Sequence, residues 1–184
     1  MSGTDPDPRK SKRIDRTQAY RPDDAAPQPL PPENLPRIPG ITLHFEIARG
    51  GMGVVYLGRQ DFLERNVAVK LLSPNLNGDK FAARFRREAK ILAGLEHPNI
   101  VSCYAAGVTT AGQYYLVMQL VEGPTLERWI TANGQVAVPS ALRITRQLAS
   151  ALGHACELGV IHRDIKPANI LLDDRGQLYV ADFG

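Results

Sequence analysis

The sequence predicts an α+β fold in two unequal parts: a five-stranded antiparallel sheet with one helix, then a mainly helical segment that ends in a short hairpin. Three observations point there. Apolar and polar residues alternate in short runs between positions 41 and 119, the period of a half-buried strand. One stretch inside that region, 79–95, carries the helical period instead. Beyond residue 125 the helical period returns, with Ile144, Leu148 and Leu152 recurring at i, i+4.

The chain has 184 residues, 43% apolar and 22% charged, enough for one compact domain with a tail. Nine of its 14 prolines precede residue 41. Proline fixes φ and removes a backbone donor, so the stretch from Pro27 to Pro39 builds neither a helix nor a central strand. Residues 1–38 are therefore expected to form a disordered, Pro-rich leader. Leu43, Phe45 and Ile47 alternate with His44 and Glu46 to give the first strand. Val54-Val55-Tyr56-Leu57 gives the second and Val67-Ala68-Val69-Lys70-Leu71-Leu72 the third, at the spacing of a meander. Asp79 is placed as the cap of a helix with Phe81, Phe85, Ile91, Leu92 and Leu95 on one side. Strands at 101–106 and Tyr114–Gln119 follow, joined by turn residues from Thr109 to Gly112. Thr125 opens the helical part, Pro139 and Ser140 start its long helix, and Gly159 suits the end of it. A hairpin of Ile170–Leu172 and Leu178–Val180 surrounds the turn Asp173-Asp174-Arg175-Gly176. The expected organisation is a leader over 1–38, a sheet lobe over 39–121 and a helical lobe over 122–184.

Charge and cysteine usage exclude several function classes. The net charge is only +3, and residues 1–40 hold seven Lys/Arg against six Asp/Glu. The short cluster Arg9-Lys10-Ser11-Lys12-Arg13 has no interleaved aromatic residue, so it reads as a solvated tail and no nucleic-acid partner is expected. Cys103 and Cys156 have no CxxC companion, which suits reduced thiols of a cytosolic protein rather than a zinc site or a disulfide scaffold. No run approaches the roughly 20 apolar residues of a membrane span. Asp5 and Asp7 stand where a secretory signal would be apolar. A cytoplasmic location is expected for these residues.

The chemistry concentrates in three places. In Ala48-Arg49-Gly50-Gly51-Met52-Gly53-Val54-Val55 the glycines leave backbone amides free to approach a phosphate. No Gly-Lys-Ser/Thr follows, which excludes a Walker A loop. A strand rather than a helix comes next, which disfavours a Rossmann fingerprint. A Gly-rich turn between two strands is instead either an ordinary hairpin turn or a flap that folds over a nucleotide. Lys70 ends the apolar run of the third strand, where a lysine either snorkels or meets an anion. Glu88, among Arg84, Arg86 and Arg87, is the carboxylate available to hold its ammonium. The alternative for Glu88 is plain surface charge. Third comes His162-Arg163-Asp164-Ile165-Lys166-Pro167-Ala168-Asn169, followed after a hairpin by Asp182-Phe183-Gly184. A chance match to the five polar letters of that loop is on the order of one in ten thousand for average residue usage.

Gly50 to Gly53, Val67-Ala68-Val69-Lys70, Glu88, His97-Pro98-Asn99-Ile100-Val101, His162 to Asn169 and Asp182-Phe183-Gly184 together resemble a eukaryotic-type protein kinase. Arg49 to Tyr56 and Lys166 to Leu172 are most similar to the bacterial Hanks-type serine/threonine kinases. The resemblance covers residues 41–184 in family order. It implies a protein-kinase-like fold, with a five-stranded N-lobe and a truncated C-lobe, and ATP-dependent phosphoryl transfer to Ser/Thr hydroxyls of proteins. It further implies that Lys70, held by Glu88, binds the α/β-phosphates. Asp164 would orient the substrate hydroxyl and take its proton, while Lys166 neutralises the transferring group. Asn169 and Asp182 would ligate Mg2+, or Mn2+ in its place. The backbone of Ala48, Gly50, Gly51 and Gly53 would cover the phosphates. Val55, Ala68 and Leu171 would sandwich the adenine, with Met118 as gatekeeper and the backbones of Gln119 and Val121 bonding the base. Arg163 beside Asp164, with Arg84 on the helix, resembles kinases switched by activation-loop phosphorylation.

Two departures from the family pattern stand out. Ala48 occupies the place of the first glycine of Gly-x-Gly-x-x-Gly, which costs loop flexibility rather than nucleotide binding. The given residues stop at Gly184, before the activation loop and the later helices of the large lobe. The helix face bearing Ile144, Leu148 and Leu152 is accordingly expected to lie partly bare, and residues 1–184 alone to transfer little phosphate. The alternatives are a non-catalytic nucleotide-binding or docking module, and a small-molecule phosphotransferase of kinase-like fold. The protein substrate is not legible here, and a longer parent leaves room for a membrane anchor beyond residue 184.

Overall fold

A computed structural model of the chain describes residues 35–74 and 78–183. Most of the expected leader, with its basic cluster at 9–13, lies outside the described residues, as does Gly184. Strands β1 (Ile41–Gly50), β2 (Gly53–Gln60), β3 (Arg65–Leu72), β4 (Cys103–Val108) and β5 (Tyr114–Gln119) form one antiparallel sheet in the order β1-β2-β3-β5-β4. Strand period two sorts β3 into two faces. Val67, Val69 and Leu71 are buried with Ile38, Tyr56 and Val117 in one cluster, against which Leu35, Ile41, Leu43, Val54 and Tyr115 pack. Ala68 and Lys70 belong to the opposite face. Ile38 is only 5% exposed, so the ordered core takes in residues that the sequence pattern leaves in the leader. Two apolar side chains among prolines carry no strand period, which is why they were not separable from it.

Helix α1 (Asp79–Ala93) packs on the sheet through aromatic rings, with Phe81 and Phe85 at 5.1 and 4.7 Å from the ring of Tyr114. Its cap position is Gly78, at φ 108°, and Asp79 is the first helical residue rather than the cap. Ile91 is exposed instead of joining Phe85 and Leu95 in the interior. Strand β4 begins two residues later than the pattern suggests, because Val101 and Ser102 serve the junction: the Val101 N–H donates to Val180 O and the Gln119 N–H to Ser102 O, both 2.9 Å.

The second part comprises α2 (Leu126–Asn133), α3 (Val138–Glu157), a single 3-10 turn at Pro167–Asn169 and the hairpin β6 (Ile170–Leu172) with β7 (Leu178–Val180). The Thr125 hydroxyl accepts the Arg128 N–H at 3.2 Å and caps α2. Gly159, at φ 74°, follows α3 where a left-handed residue is needed. The core here gathers Leu95, Ile100, Leu126, Ala151, Ala155, Ile170, Leu172, Leu178, Val180 and Phe183. Ile144, Leu148 and Leu152 pack against it but are only partly buried, in keeping with a face that is partly bare. The large apolar residues of α3 that lie exposed are Val138 and Leu142. Among the described residues no helix is long and apolar enough to cross a membrane.

Candidate active site

The β1–β2 hairpin closes on the pair Gly50 and Gly53, with Gly51 and Met52 as its turn. A Cβ added to Gly50 or Gly51 meets nothing within 4 Å, whereas one on Gly53 (φ 149°) would lie 2.0 Å from the carbonyl oxygen of Leu71. Gly53 is thus fixed by the approach of β3, while Gly50 and Gly51 keep an open backbone. Ala48 sits opposite Val55, Val55 opposite Lys70, and Ala68 opposite Met118. Residues directly opposed in antiparallel strands share a face. Ala48, Val55, Lys70, Ala68 and Met118 are therefore one continuous underside of the sheet.

The connector leaves β5 at Gln119, whose N–H is spent on Ser102 and is therefore not offered to a ligand. Val121 follows in the connector, half-buried. Gly123 is a residue the sequence pattern did not single out. A Cβ there would stand 1.8 Å from the carbonyl oxygen of Leu172, and the Leu172 N–H donates to Pro124 O at 3.0 Å. The connector is thereby laid directly on β6. Leu171, between the buried Ile170 and Leu172, turns to the other face of that hairpin. No pattern announces Gly123, since its constraint comes from a strand far along the chain.

Lys70 meets the second lobe directly. Its Nζ lies 2.6 Å from Asp182 Oδ1, with the lysine side chain 13% exposed and the aspartate 46%. The expected pair of Lys70 with Glu88 is not made. Glu88 Oε1 instead accepts from Arg84 Nε at 2.8 Å, one helical turn away on α1. The geometry is an i, i+4 ion pair on an exposed helix surface, a local alternative that competes with any cross-lobe partner.

The loop after α3 is tied to the segment after β7. Asp164 Oδ2 lies 2.7 Å from Lys166 Nζ, and Asn169 Nδ2 donates to both the Asp164 carbonyl (2.9 Å) and its Oδ2 (3.1 Å). The hydrogen bond from Lys166 holds the Asp164 carboxyl below the usual carboxylate range, with Asn169 contributing less. Asp164 in turn raises Lys166, helped by the charges of Asp182 and Glu127. The Ala181 N–H donates to Asn169 O at 2.9 Å, placing Asp182 next to this loop. His162, 3% exposed, donates from Nε2 to Ala181 O at 2.8 Å and accepts the Asp164 N–H at Nδ1, 3.3 Å. These bonds occupy both ring nitrogens, and the ring packs against Phe183 at 4.6 Å with the planes tilted by 55°. The motif contains His162, but its service as the brace between the two segments is visible only in three dimensions. Arg163 and Asp182 both sit at positive φ, 68° and 59°, a conformation that costs a non-glycine residue of order 1 kcal/mol and persists only where the surroundings impose it. The structure thus brings Lys70, Asp164, Lys166, Asn169 and Asp182 into one linked cluster between the lobes, and leaves Glu88 outside it.

Comparison with known proteins gives a consistent picture. A family model described as the protein kinase domain matches residues 42–184. The chain is 48% identical over 139 residues to the serine/threonine-protein kinase PrkC of Bacillus subtilis (strain 168), covering 75% of this chain and 21% of that protein. It is 42% identical over 139 residues to the serine/threonine-protein kinase PknB of Mycobacterium leprae (strain TN), covering 73% and 22%. A crystal structure of the Mycobacterium tuberculosis PknI kinase domain superimposes with a TM-score of 0.70 at 32% identity, covering 79% of this chain and 58% of that one. The chain spans about a fifth of the length of the curated relatives it matches.

Proposed function

This chain belongs to the protein kinase family, and from that premise we propose that its parent protein transfers the γ-phosphoryl group of ATP to Ser or Thr hydroxyls of proteins. Such a transfer demands positioning and charge neutralisation more than covalent participation by the enzyme. Asp164 is the group we assign to the acceptor hydroxyl: it orients the oxygen and accepts its proton as the new O–P bond forms and the bond to the β-phosphate oxygen breaks. Its lowered pKa keeps it ionised, hence able to accept, throughout the neutral range. Lys166, held on Asp164 as an ammonium, neutralises charge on the group in flight. Lys70, at the underside of the sheet, is assigned to the α/β-phosphates. The backbone of Ala48, Gly50, Gly51 and Gly53 covers them, and Val55, Ala68, Met118, Leu171, the Gln119 carbonyl and Val121 surround the base.

The family works with ATP and a divalent cation, and the donor set here suits Mg2+ or Mn2+. Both hydrogen bonds of Asn169 use its Nδ2 and leave Oδ1 for a cation, while Asp182 supplies a half-exposed carboxylate. Among the described residues no three His, Cys, Asp or Glu side chains converge. Asn169 and Asp182 would therefore hold the cation with phosphate and water oxygens completing its shell. When bound, the cation supplies charge neutralisation between the β- and γ-phosphates. A cytoplasmic location fits this ATP dependence.

The observation that most supports this function is the 2.6 Å contact of Lys70 with Asp182. It joins the proposed phosphate ligand of one lobe to the proposed metal ligand of the other, beside Asp164. The test is autophosphorylation and substrate labelling by the full-length protein with Mg-ATP. Asp164→Asn is expected to lower transfer by about a hundredfold or more. Undiminished transfer by that variant refutes the assignment. The retention of Lys70, Glu88, Asp164, Asn169 and Asp182 argues against a purely docking role.

A further inference from the structure

In a regular strand the side chains at i and i+3 point to opposite faces of the sheet. Glu46 and Arg49 of β1 nevertheless form a two-pronged ion pair: Arg49 Nε donates to Glu46 Oε1 at 2.9 Å and Arg49 Nη2 to Glu46 Oε2. The register of the hairpin shows how they meet. Glu46 lies opposite Tyr56, Ala48 opposite Val55 and Arg49 opposite Val54, so between Glu46 and Ala48 two steps along β1 match one step along β2. That β-bulge inverts the alternation of everything beyond it. Glu46 and Arg49 thereby share the face away from the cleft with Tyr56, whose ring is buried in the sheet's core cluster. Burial, then the Glu46 charge, pushes the Tyr56 pKa up, while the Arg49 guanidinium, hydrogen-bonded to that side chain, opposes them. The ion pair is anchored at the rim of a core, with the Glu46 side chain only 29% exposed.

The same bulge decides what faces the cleft. An even register from Glu46 onward would set Ile47 opposite Val55 and would make Arg49, not Gly50, the partner of Gly53. It would also send Glu46 and Arg49 to opposite faces and break their pair. With the bulge, Ala48 takes the underside opposite Val55 and the hairpin closes on Gly50 and Gly53. An ion pair that exists only in the bulged register stabilises that register against the even one.

We propose that Glu46 and Arg49 are positioning residues whose ion pair latches the bulge of β1 and so holds the Gly50–Gly53 turn over the phosphates of a bound nucleotide. This rests on the phosphate-covering role given to that turn above. The sign of the effect separates a latch from simple electrostatics. Removing the negative charge of Glu46 should by itself strengthen the binding of a polyanion, whereas releasing the latch should weaken it.

The experiment is calorimetric titration of the full-length protein with Mg2+ and a non-hydrolysable ATP analogue, and separately with adenosine. Glu46→Gln and Arg49→Gln are each expected to weaken binding of the analogue about two- to fivefold, the weight of one well-formed exposed ion pair. The double variant should lose no more than either single one, because both act through the same pair. Adenosine has no phosphates for the turn to cover and should bind the unaltered protein and the variants alike, which a general loosening of the sheet would not allow. Unchanged or tighter binding of the analogue by Glu46→Gln, losses that add in the double variant, or an equal loss for adenosine overturns the proposal. If the unaltered protein itself fails to bind the analogue, the proposed function falls and the latch with it; if that binding is present, only the role of Glu46 and Arg49 is at stake.

Discussion

The ammonium of Lys70 and the carboxylate of Asp182 are in contact although 112 residues separate them. The pair is lopsided in its access to water, 13% against 46%. Losing Asp182 would therefore strand a largely buried cation unless Lys70 takes Glu88 of α1 as its new partner in place of Arg84. Asp182→Asn alone should cost less than about 1 kcal/mol of stability, and Glu88→Gln, which breaks only an exposed pair, about 0.3–0.5 kcal/mol. The double variant leaves Lys70 with neither of these carboxylates and should exceed the sum of the singles by about 1 kcal/mol or more. Denaturant unfolding of the four proteins checks this. Additive losses would mean that Lys70 reaches solvent and does not exchange partners.

Glycines of the cleft divide by what a methyl group would strike. At Gly123 the added carbon lies 1.8 Å from Leu172 O, and at Gly53 2.0 Å from Leu71 O, both rigid backbone atoms. Neither strand can retreat without losing ladder hydrogen bonds, so Gly123→Ala and Gly53→Ala should each lower stability by about 2 kcal/mol or more. Gly50→Ala meets open space and should stay within about 0.5 kcal/mol of the unaltered protein. Thermal unfolding distinguishes the two groups, and equal effects at Gly50 and Gly123 would contradict the packing described.

What could be read in the sequence follows from which forces are local. The spans Tyr114–Gln119, Ile170–Leu172 and Leu178–Val180 match because alternation and flanking turn residues fix them within a few positions. The cleft face of β3, with Ala68 and Lys70, follows from the family resemblance of Val67-Ala68-Val69-Lys70 rather than from its period, because the run is apolar on both faces. Ile38 escaped because its burial depends on a sheet built entirely downstream. Gly123 escaped because its neighbour is the backbone of Leu172. The partner of Lys70 could not be chosen either: Glu88 and Asp182 are both carboxylates, and only three dimensions show that Arg84 holds the first while Lys70 meets the second. Residue order names the members of an electrostatic cluster but not their pairing, which differs by less energy than one packed methyl group.

The loop between α1 and β4 offers a pH-dependent test of how the lobes are joined. His97 accepts the Asn99 N–H at Nδ1 (3.0 Å), its Nε2 lies 3.0 Å from Ser150 Oγ on α3, and its ring stacks at 5.4 Å on His154. Burial, with a smaller effect from His154, pushes the His97 pKa below its ordinary 6.5. The physical reason is that a protonated ring cannot accept from Asn99 and would set a charge against a second imidazole. In the unfolded chain His97 takes up a proton as the pH falls through 6.5, while the folded protein resists until its lower pKa. The contribution of His97 to stability is therefore whole above 6.5 and is lost progressively as the pH drops from there to the folded pKa. His97→Asn keeps an acceptor near the Nδ1 position and does not titrate. Between about pH 5 and 6.5 the stability of the unaltered protein should fall more steeply than that of the variant, and above pH 7 the two curves should run parallel. Denaturant unfolding at each pH measures the difference, and curves parallel through the acidic range as well would remove His97 from the junction's pH response.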